Sequence, residues 1–589
     1  MGIRPTPAPL ARGRRDPSPG GAGYNWGSSP DVCPPGRKHS WHSFRTGSPH
    51  RPHRPGASTD RPAGKGSRSP HERHPRRRHH HRHHHRHHRR PHRRREGPRP
   101  RDRQPSRPPA RRRPLVRGTA HQRQRRVSRH HHPALPGRPR RDRAGTHRAA
   151  RAPGAARLGS FRDSVAAGMS HLHRTYGPVA AVGAGPLRWT FLFGAEANEL
   201  VLGSTENFEF SYGGLQAIAG DTALVALPNA ENRAMRHVLR PLFDRERVDT
   251  YADRVLDRVR ERVAAWPPGG TVDAYAELRH AVRLASVDSF IGPGVIAREG
   301  DALDATLERL HTVLNRSSVL TLLVWNAPRL GRLRLRGPLG RVDRVVRAEI
   351  ARRRAGRTAT PDPADPIGFL LRPEVHSRLP AGDDTVRDTV VSLLVASYDP
   401  TSSALGWSLH GLLAHPEVLA EARREVAREL GDEPVRASTA RRLKYLGHVV
   451  AEALRIHPPV VASARRCVAA FDLHGHRIPA GSRIMLSQFT SHRSPESWTD
   501  PEHFDPGRWD RTGAAAAVPP SAYFPYGSPR RRCPGSGMAA VIVPAVLAAV
   551  LQAGDVALAD ERPPRLDGFA ALRPRDGLPV RVPRVAENT

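Results

Sequence analysis

The most informative run of this chain is Phe524-Pro-Tyr-Gly-Ser-Pro-Arg-Arg-Arg-Cys-Pro-Gly-Ser-Gly-Met538. It places three arginines directly before Cys533 and leads into an apolar helix predicted over residues 538–551, with a kink at Pro544. The positive charge and the helix N-terminus both favour a thiolate, so we expect a lowered pKa for the Cys533 thiol. Such a cysteine is suited to be the axial ligand of a haem iron, where a thiolate favours O–O cleavage. The alternative is a small buried side chain without chemistry.

A glutamate and an arginine lie three residues apart in Glu452-Ala-Leu-Arg455, on a helix predicted over residues 443–456. This spacing puts both side chains on one helix face, where they can pair. A pair of this kind usually lies at the surface and contributes little to stability. Arg508, in the later run Phe504-Asp-Pro-Gly-Arg-Trp509, can complete a buried Glu–Arg–Arg cluster that fixes one loop geometry.

Hydrophobic periodicity predicts a mostly helical chain with a minor sheet. Between residues 232 and 455 apolar residues recur mainly at helical spacing. A helix end at Tyr176 precedes two predicted strands, and Pro416 suits the first position of a helix. The further predicted helices are 387–413 and 416–430, and the predicted strands are 179–182, 189–193, 471–473, 477–478 and 483–486.

The cysteine run resembles the haem-binding loop of the cytochrome P450 family, which reads F-x-x-G-x-R-x-C-x-G. Arg531, Cys533 and Gly535 match this pattern, whereas Tyr526 stands at the Phe position and Pro529 at the first Gly. The two departures leave the local shape of the loop open. They do not affect the position of the ligand.

Other motifs of the family follow in the expected order. Its E-x-x-R matches Glu452 and Arg455, and the arginine of its P-E-R-F segment matches Arg508, so these three residues are expected to be structural. Arg236 and Arg465 are similar to the family's arginines that pair with the haem propionates. The alternative for each is a solvated arginine, which is common in so basic a chain.

The resemblance implies the cytochrome P450 fold, mainly α (α+β), with a triangular helical domain and small β-sheets around a buried haem. It covers about residues 155–589, so a haem-thiolate domain is expected over 153–589. The implied cofactor is heme b (iron protoporphyrin IX), with Cys533 as proximal ligand and with Arg236, Arg465 and Arg531 at the cofactor. The implied activity is a monooxygenase that inserts one oxygen atom from O2 into an organic substrate. Several short segments are similar to an actinobacterial branch of the family encoded beside polyketide synthases, which suggests a small hydrophobic secondary metabolite such as a polyketide.

The resemblance also implies the source of electrons. Only 56 residues (589 − 533) follow Cys533, too few for a fused reductase, so we expect a separate ferredoxin and ferredoxin reductase. The alternative is a peroxygenase or isomerase of the same type that needs no reductase.

The segment of the family that activates oxygen reads A/G-G-x-D/E-T-T, and here it is Ala396-Ser-Tyr-Asp-Pro-Thr401. Ser397 replaces a glycine, and Pro400 replaces the threonine whose hydroxyl helps to deliver protons. Proline inside a helix also removes a backbone donor. Asp399, Thr401, an ordered water or a hydroxyl of the substrate is expected to take over, although Asp399 and Thr401 can also be ordinary polar helix residues.

Residues 1–152 differ in composition from the rest of the chain. They are rich in Arg, His, Pro and Gly, carry most of the formal charge of +42, and cannot bury enough apolar area to fold, so we expect disorder. A basic nucleic-acid-binding arm is a function from another class, although aromatic residues for base stacking are nearly absent. The simpler alternative is a translation start assigned too far upstream.

Cysteine usage and hydropathy restrict the cellular setting. The three cysteines, Cys33, Cys467 and Cys533, form no disulfide framework and fit a reducing compartment, so a cytoplasmic location is expected. No run of about 18 apolar residues is evident, so no membrane span is expected.

Overall fold

The computed structural model describes Phe161, 164–185, 188–204, 206–211, Gln216, 218–315, Leu333, 335–356, 365–510, 512–568 and 570–583. The extension predicted over residues 1–152, and with it the proposed basic arm, lies outside these residues.

Helices make up most of the described chain. In chain order they are α1 (Val165–Tyr176), α2 (Ala195–Gly203), α3 (Asn229–Leu239), α4 (Arg245–Ala264), α5 (Ala274–Phe290), α6 (Val295–Asn315), α7 (Arg336–Arg354), α8 (Pro366–Leu370), α9 (Pro373–His376), α10 (Asp383–Ala414), α11 (Pro416–Leu430), α12 (Ala437–Ala440), α13 (Lys444–Ile456), α14 (Gln488–Ser491) and α15 (Ser536–Ala553). Within α6, Gly300 has φ 53°, so this element is two helical pieces joined at a glycine.

The strands form small sheets. They are β1 (Val179–Val182), β2 (Trp189–Leu192), β3 (Phe208–Phe210), β4 (Thr271–Asp273), β5 (Ala462–Cys467), β6 (Phe471–Leu473), β7 (His476–Ile478), β8 (Arg483–Ser487), β9 (Ala557–Leu558), β10 (Leu566–Asp567), β11 (Arg573–Pro574) and β12 (Pro579–Arg581). The largest sheet has the order β1-β2-β8-β5-β3, in which β2 and β8 are parallel and the other pairs are antiparallel.

The helix α10 lies at the centre of the largest core cluster, packed against α5, α13 and α15. Leu405, Trp407 and Leu409 are among its buried residues. The loop that carries Cys533 leads directly into α15, so the core also anchors the end of the loop.

One helix among the described residues, α15, is long and apolar enough to cross a membrane, but 61% of its 18-residue window is buried inside the protein. It packs against α4, α10, α12 and α13, and a helix that is apolar on all sides is typical of a protein core. The expectation of no membrane-length apolar run was therefore wrong by length and composition alone, because Ser536, Gly537, Pro544 and Gln552 interrupt the apolar residues of this helix.

Most of the predicted elements are present. The helix over 416–430 has the predicted bounds, those over 387–413 and 443–456 differ by a few residues, and β1, β2, β6, β7 and β8 lie where strands were predicted. The strand β5 was not predicted, because Arg465 and Arg466 interrupt its apolar pattern; it pairs with both β3 and β8.

Candidate active site

The loop before Cys533 is held by its own backbone. The Cys533 N–H donates to the carbonyl of Tyr526 over 2.8 Å, and the Ser536 N–H at the start of α15 donates to the Cys533 carbonyl over 3.3 Å. Gly527 takes the left-handed conformation at φ 80°, and Pro529 opens a short 3-10 turn, Pro529–Arg531. Pro529 is therefore accommodated because Gly527 provides the left-handed turn and a proline fits the first position of a helical turn.

A buried histidine holds the other end of this loop. The Phe524 N–H donates to His492 Nε2 over 2.9 Å, so the proton of the ring lies on Nδ1, which is 3.4 Å from the Leu454 carbonyl. The pKa of His492 is lowered to about 3, mainly by burial and also by the nearby Arg455, against the raising effect of the Leu454 carbonyl. His492 therefore remains an acceptor for the loop at neutral pH. This role of His492 could not be predicted from the sequence, since it depends on a contact with a residue 32 positions away.

The Cys533 side chain is accessible to solvent, but protein atoms surround it closely enough to desolvate its thiol. Burial raises the pKa of its thiol, whereas the backbone N–H groups of Gly535 and Ser536 and the charges of Arg236 and Arg532 lower it. The expected lowering is therefore wrong for the protein without a metal, because desolvation outweighs the positive charge. A bound metal ion removes the proton of a coordinating thiol, so the residue still fits the role of a ligand.

Three arginines from separate elements lie near one another, and the charge of one of them, Arg236, acts on the Cys533 thiol. Arg236 on α3 donates to Asn232 Oδ1 over 2.9 Å, and Arg531 donates to Asn229 Oδ1 over 2.7 Å, so both use neutral acceptors. Arg465 on β5 and Arg531 lie over the ring of Phe210, with distances of 4.8 and 5.3 Å from guanidinium carbon to ring centroid.

The charges of these arginines oppose one another. The pKa of Arg531 is lowered to about 10, mainly by burial and then by Arg465 and Arg236. Burial also lowers the pKa of Arg236, against the raising effect of Cys533. A half-buried group of like charges gains from an anion, so the arrangement fits the two carboxylates of a haem.

The residues Glu452, Arg455 and Arg508 are brought together and buried. Arg455 Nη2 donates to Glu452 Oε1 over 2.8 Å, and its Nε donates to Oε2 over 2.9 Å. Arg508 Nε donates to Glu452 Oε1 over 3.2 Å, and Trp509 Nε1 donates to Oε2 over 3.0 Å. The other N–H groups of Arg455 and Arg508 donate to backbone carbonyls of residues 492–503. The cluster therefore connects α13 to the segment before the cysteine loop.

The middle of α10 carries an accessible stripe, and Ser392 and Val395, which lie off this stripe, are also partly exposed. Ala396 is exposed, and Leu393, Ser397, Pro400 and Thr401 are partly exposed, while many of their neighbours are buried. These positions recur at spacings of three and four residues and therefore share one face. Leu393, Ala396 and Pro400 make most of this surface apolar.

Asp399 does not lie on that stripe. It is buried, with Oδ1 2.5 Å from His311 Nδ1 and Oδ2 3.3 Å from Asn315 Nδ2, and both partners belong to α6. Arg573 Nη1 donates to His311 Nε2 over 3.0 Å, which puts the proton of the imidazole on Nδ1, facing Asp399. Both carboxylate oxygens of Asp399 are therefore engaged by α6, and its role in proton delivery remains a prediction.

Taken as a donor set, these residues fit a haem. An accessible thiol and three neighbouring arginines match an iron ligand and the anchors of two propionates. The mainly apolar stripe of α10 is typical of a surface that binds an apolar ligand. Haem iron with a thiolate ligand supplies the activation of dioxygen.

Comparisons with known proteins agree with this interpretation. A family model described as Cytochrome P450 matches residues 155–579. Cytochrome P450 139 of Mycobacterium tuberculosis is 34% identical over 421 residues, which cover 70% of this chain and 97% of that protein. The cyclooctat-9-en-7-ol 5-monooxygenase of Streptomyces melanosporofaciens is 30% identical over 52% of this chain and 67% of that protein. The pentalenene oxygenase of Streptomyces avermitilis is 28% identical over 59% of this chain and 77% of that protein. The solved structure of retinoic acid bound cyanobacterial CYP120A1 has a TM-score of 0.66 at 22% identity, covering 74% of this chain and 99% of that chain, which supports the fold.

Proposed function

Because this chain belongs to the bacterial cytochrome P450 family and is therefore a haem-dependent monooxygenase, we propose that Cys533 is the iron ligand at which its chemistry occurs. The observation that supports this is the exposed thiol of Cys533, on a loop held by Tyr526 and His492 and close to the charge of Arg236, which belongs to a group of three arginines. Haem binding is a property of the family; the residues that hold the haem are our proposal.

The arginines are assigned to the propionates. Arg465 and Arg531 both pack against the ring of Phe210. Arg236 belongs to a different element, the helix α3. Because the positive charges oppose one another, an anion that bridges them is stabilised by charge-assisted hydrogen bonds. We expect the three to bind the haem carboxylates together.

The proposed substrate is a small apolar molecule. The stripe of α10 offers mainly Leu393, Ala396 and Pro400, and apolar surface with few polar groups is typical of a site for such a ligand. Two relatives are named for the oxidation of cyclooctat-9-en-7-ol and of pentalenene. We propose a secondary metabolite, such as a polyketide, that reaches the site from the α10 side.

The reaction balances with an external reductant. One oxygen atom of O2 enters a C–H or C=C bond of the substrate, and the other leaves as water, which consumes two electrons and two protons. We propose that a ferredoxin and its reductase supply the electrons in the cytoplasm, and that residues 153–589 suffice as the catalytic domain.

One observation favours a second candidate. Pro400 carries no hydroxyl at the position where the family has one, so an enzyme that uses peroxide in place of O2 and electrons is the alternative. Product formation with hydrogen peroxide alone, without reductase and with no incorporation of label from ¹⁸O2, would support that candidate over the first.

A reduced, CO-bound absorption spectrum tests the ligand. The protein should show the red-shifted Soret band of thiolate ligation. Cys533→Ala should abolish this band, whereas Cys467→Ala, which removes a buried thiol on β5, should leave it unchanged. An unchanged band and haem content in Cys533→Ala would contradict the proposal.

A further inference from the structure

The accessible stripe of α10 lacks a hydroxyl at residue 400, but one is present at residue 397. Pro400 has no N–H, so the carbonyl of Ala396 cannot accept the usual helical hydrogen bond from it. One turn earlier, Ser397 lies on the same partly exposed face. Its Oγ is 3.0 Å from the Leu394 carbonyl and 3.0 Å from Ser286 Oγ on α5.

The direction of the Ser397 proton follows from its partners. Ser286 is completely buried and donates its single proton to the Val282 carbonyl over 2.7 Å. The hydroxyl of Tyr251 on α4 lies 2.8 Å from Ser286 Oγ. Because Ser286 has only one proton, Tyr251 must donate to it, and Ser397 donates its own single proton either to Ser286 or to the Leu394 carbonyl.

Tyr251 is suited to remain a donor. It is buried, and burial raises its pKa to about 12, so the phenol stays protonated over the physiological range. Since Ser286 or the Leu394 carbonyl takes the Ser397 proton, Ser397 offers only acceptor lone pairs to a further group on the accessible side of α10. A group in this state can hold a donating water in one place.

Of the other polar side chains of the segment, Asp399 is engaged elsewhere, whereas Thr401 lies on the stripe but has no hydrogen-bond partner among the described residues to fix the direction of its hydroxyl. Both carboxylate oxygens of Asp399 contact side chains of α6, and Asp399 is buried away from the stripe. Ser397 is therefore better placed on the accessible face than Asp399.

We propose that Ser397 supplies the hydroxyl of the oxygen-binding groove that Pro400 lacks, and that Ser286 and Tyr251 are positioning residues that fix its orientation. Ser397 accepts a hydrogen bond from a water in the groove. That water donates the proton that oxygen activation needs, and bulk solvent then restores the proton to the water. This assignment rests on the proposed haem site at Cys533.

The infrared C–O stretch of the CO-bound ferrous protein tests the assignment without a known substrate, because this frequency responds to hydrogen bonding beside the bound CO. Ser397→Ala should shift the stretch by several wavenumbers, and Ser397→Thr, which keeps a hydroxyl, should stay close to the parent. Tyr251→Phe should give a smaller shift in the same direction as Ser397→Ala. The matched control is Ser392→Ala on the same helix, where the hydroxyl donates only to the Asp388 carbonyl over 2.7 Å; it should leave the stretch unchanged.

The outcomes separate the two proposals. An unchanged stretch in Ser397→Ala, with the red-shifted Soret band present, would overturn the role of Ser397 alone. A shift in Ser397→Ala with none in Tyr251→Phe would overturn the positioning role of Tyr251. Absence of the red-shifted band in the parent would instead overturn the haem site. The melting temperature of each variant, followed by circular dichroism, shows whether a shift comes from a folded protein.

Discussion

Replacing Arg455 with alanine removes five hydrogen bonds at once. Two go to Glu452, and three go to the carbonyls of His492, Pro501 and His503. Arg455 is fully buried, so solvent does not screen the loss. Removing one partner of a buried pair costs about 3–5 kcal/mol. Because a domain is stable by about 5–15 kcal/mol, we expect Arg455→Ala to lose a large part of its free energy of unfolding and its haem.

The structure also predicts a rank order. In Arg508→Ala, Glu452 keeps both bonds to Arg455, and two carbonyls lose a donor instead of three, so the cost should be smaller. In Arg477→Ala, an exposed pair with Asp472 is lost, which is worth less than about 1 kcal/mol.

Urea unfolding followed by circular dichroism, together with haem content from the Soret absorbance, measures this order. The reasoning would be refuted by an Arg455→Ala protein that unfolds within about 1 kcal/mol of the parent with full haem and has lost only turnover. Equal losses in Arg455→Ala and in the surface control would refute it too.

Acid should destabilise the fold through its buried histidines. The pKa of His492 is about 3 in the folded protein and about 6.5 in the unfolded chain. Between these pH values the unfolded state binds more protons, so the free energy of unfolding falls as the pH drops below about 6.5. The fall is about 1.4 kcal/mol per pH unit for each such histidine. His457, whose pKa burial also lowers, adds to this slope, and urea midpoints that do not change between pH 7 and pH 5 would contradict the prediction. Pro400→Thr should raise the product formed per NAD(P)H oxidised with a surrogate ferredoxin, and Asp399→Asn should lower it, by up to the roughly 10²–10⁴-fold that a positioned proton-transfer group contributes. Silence of both variants would exclude residues 399 and 400 from proton delivery. A protein beginning near Ala155 should keep the haem spectrum and the activity, and failure of this shorter chain to fold while the full chain folds would show that the extension is needed.

The regular elements could largely be predicted because their signals are local. Pro416 marks the start of α11, and the apolar spacing of α10 and α13 gives their positions within a few residues. The strand β5 could not be predicted in this way. It carries two consecutive arginines, one buried against Phe210 and one exposed, and pairing with β3 and β8 compensates for its irregular pattern.

Local sequence patterns were enough to identify the groups available for the chemistry: the Cys533 loop, the Glu452–Arg455 spacing, the arginines and the missing hydroxyl at Pro400. The behaviour of these groups depends on contacts that form only in the folded chain. Burial raises the pKa of Cys533 where the neighbouring charges alone predicted a lower value. Asp399 contacts His311, 88 residues away, and Ser397 contacts Ser286, 111 residues away. Desolvation and the direction of a proton depend on every atom that packs around a group, and those atoms come from distant parts of the chain.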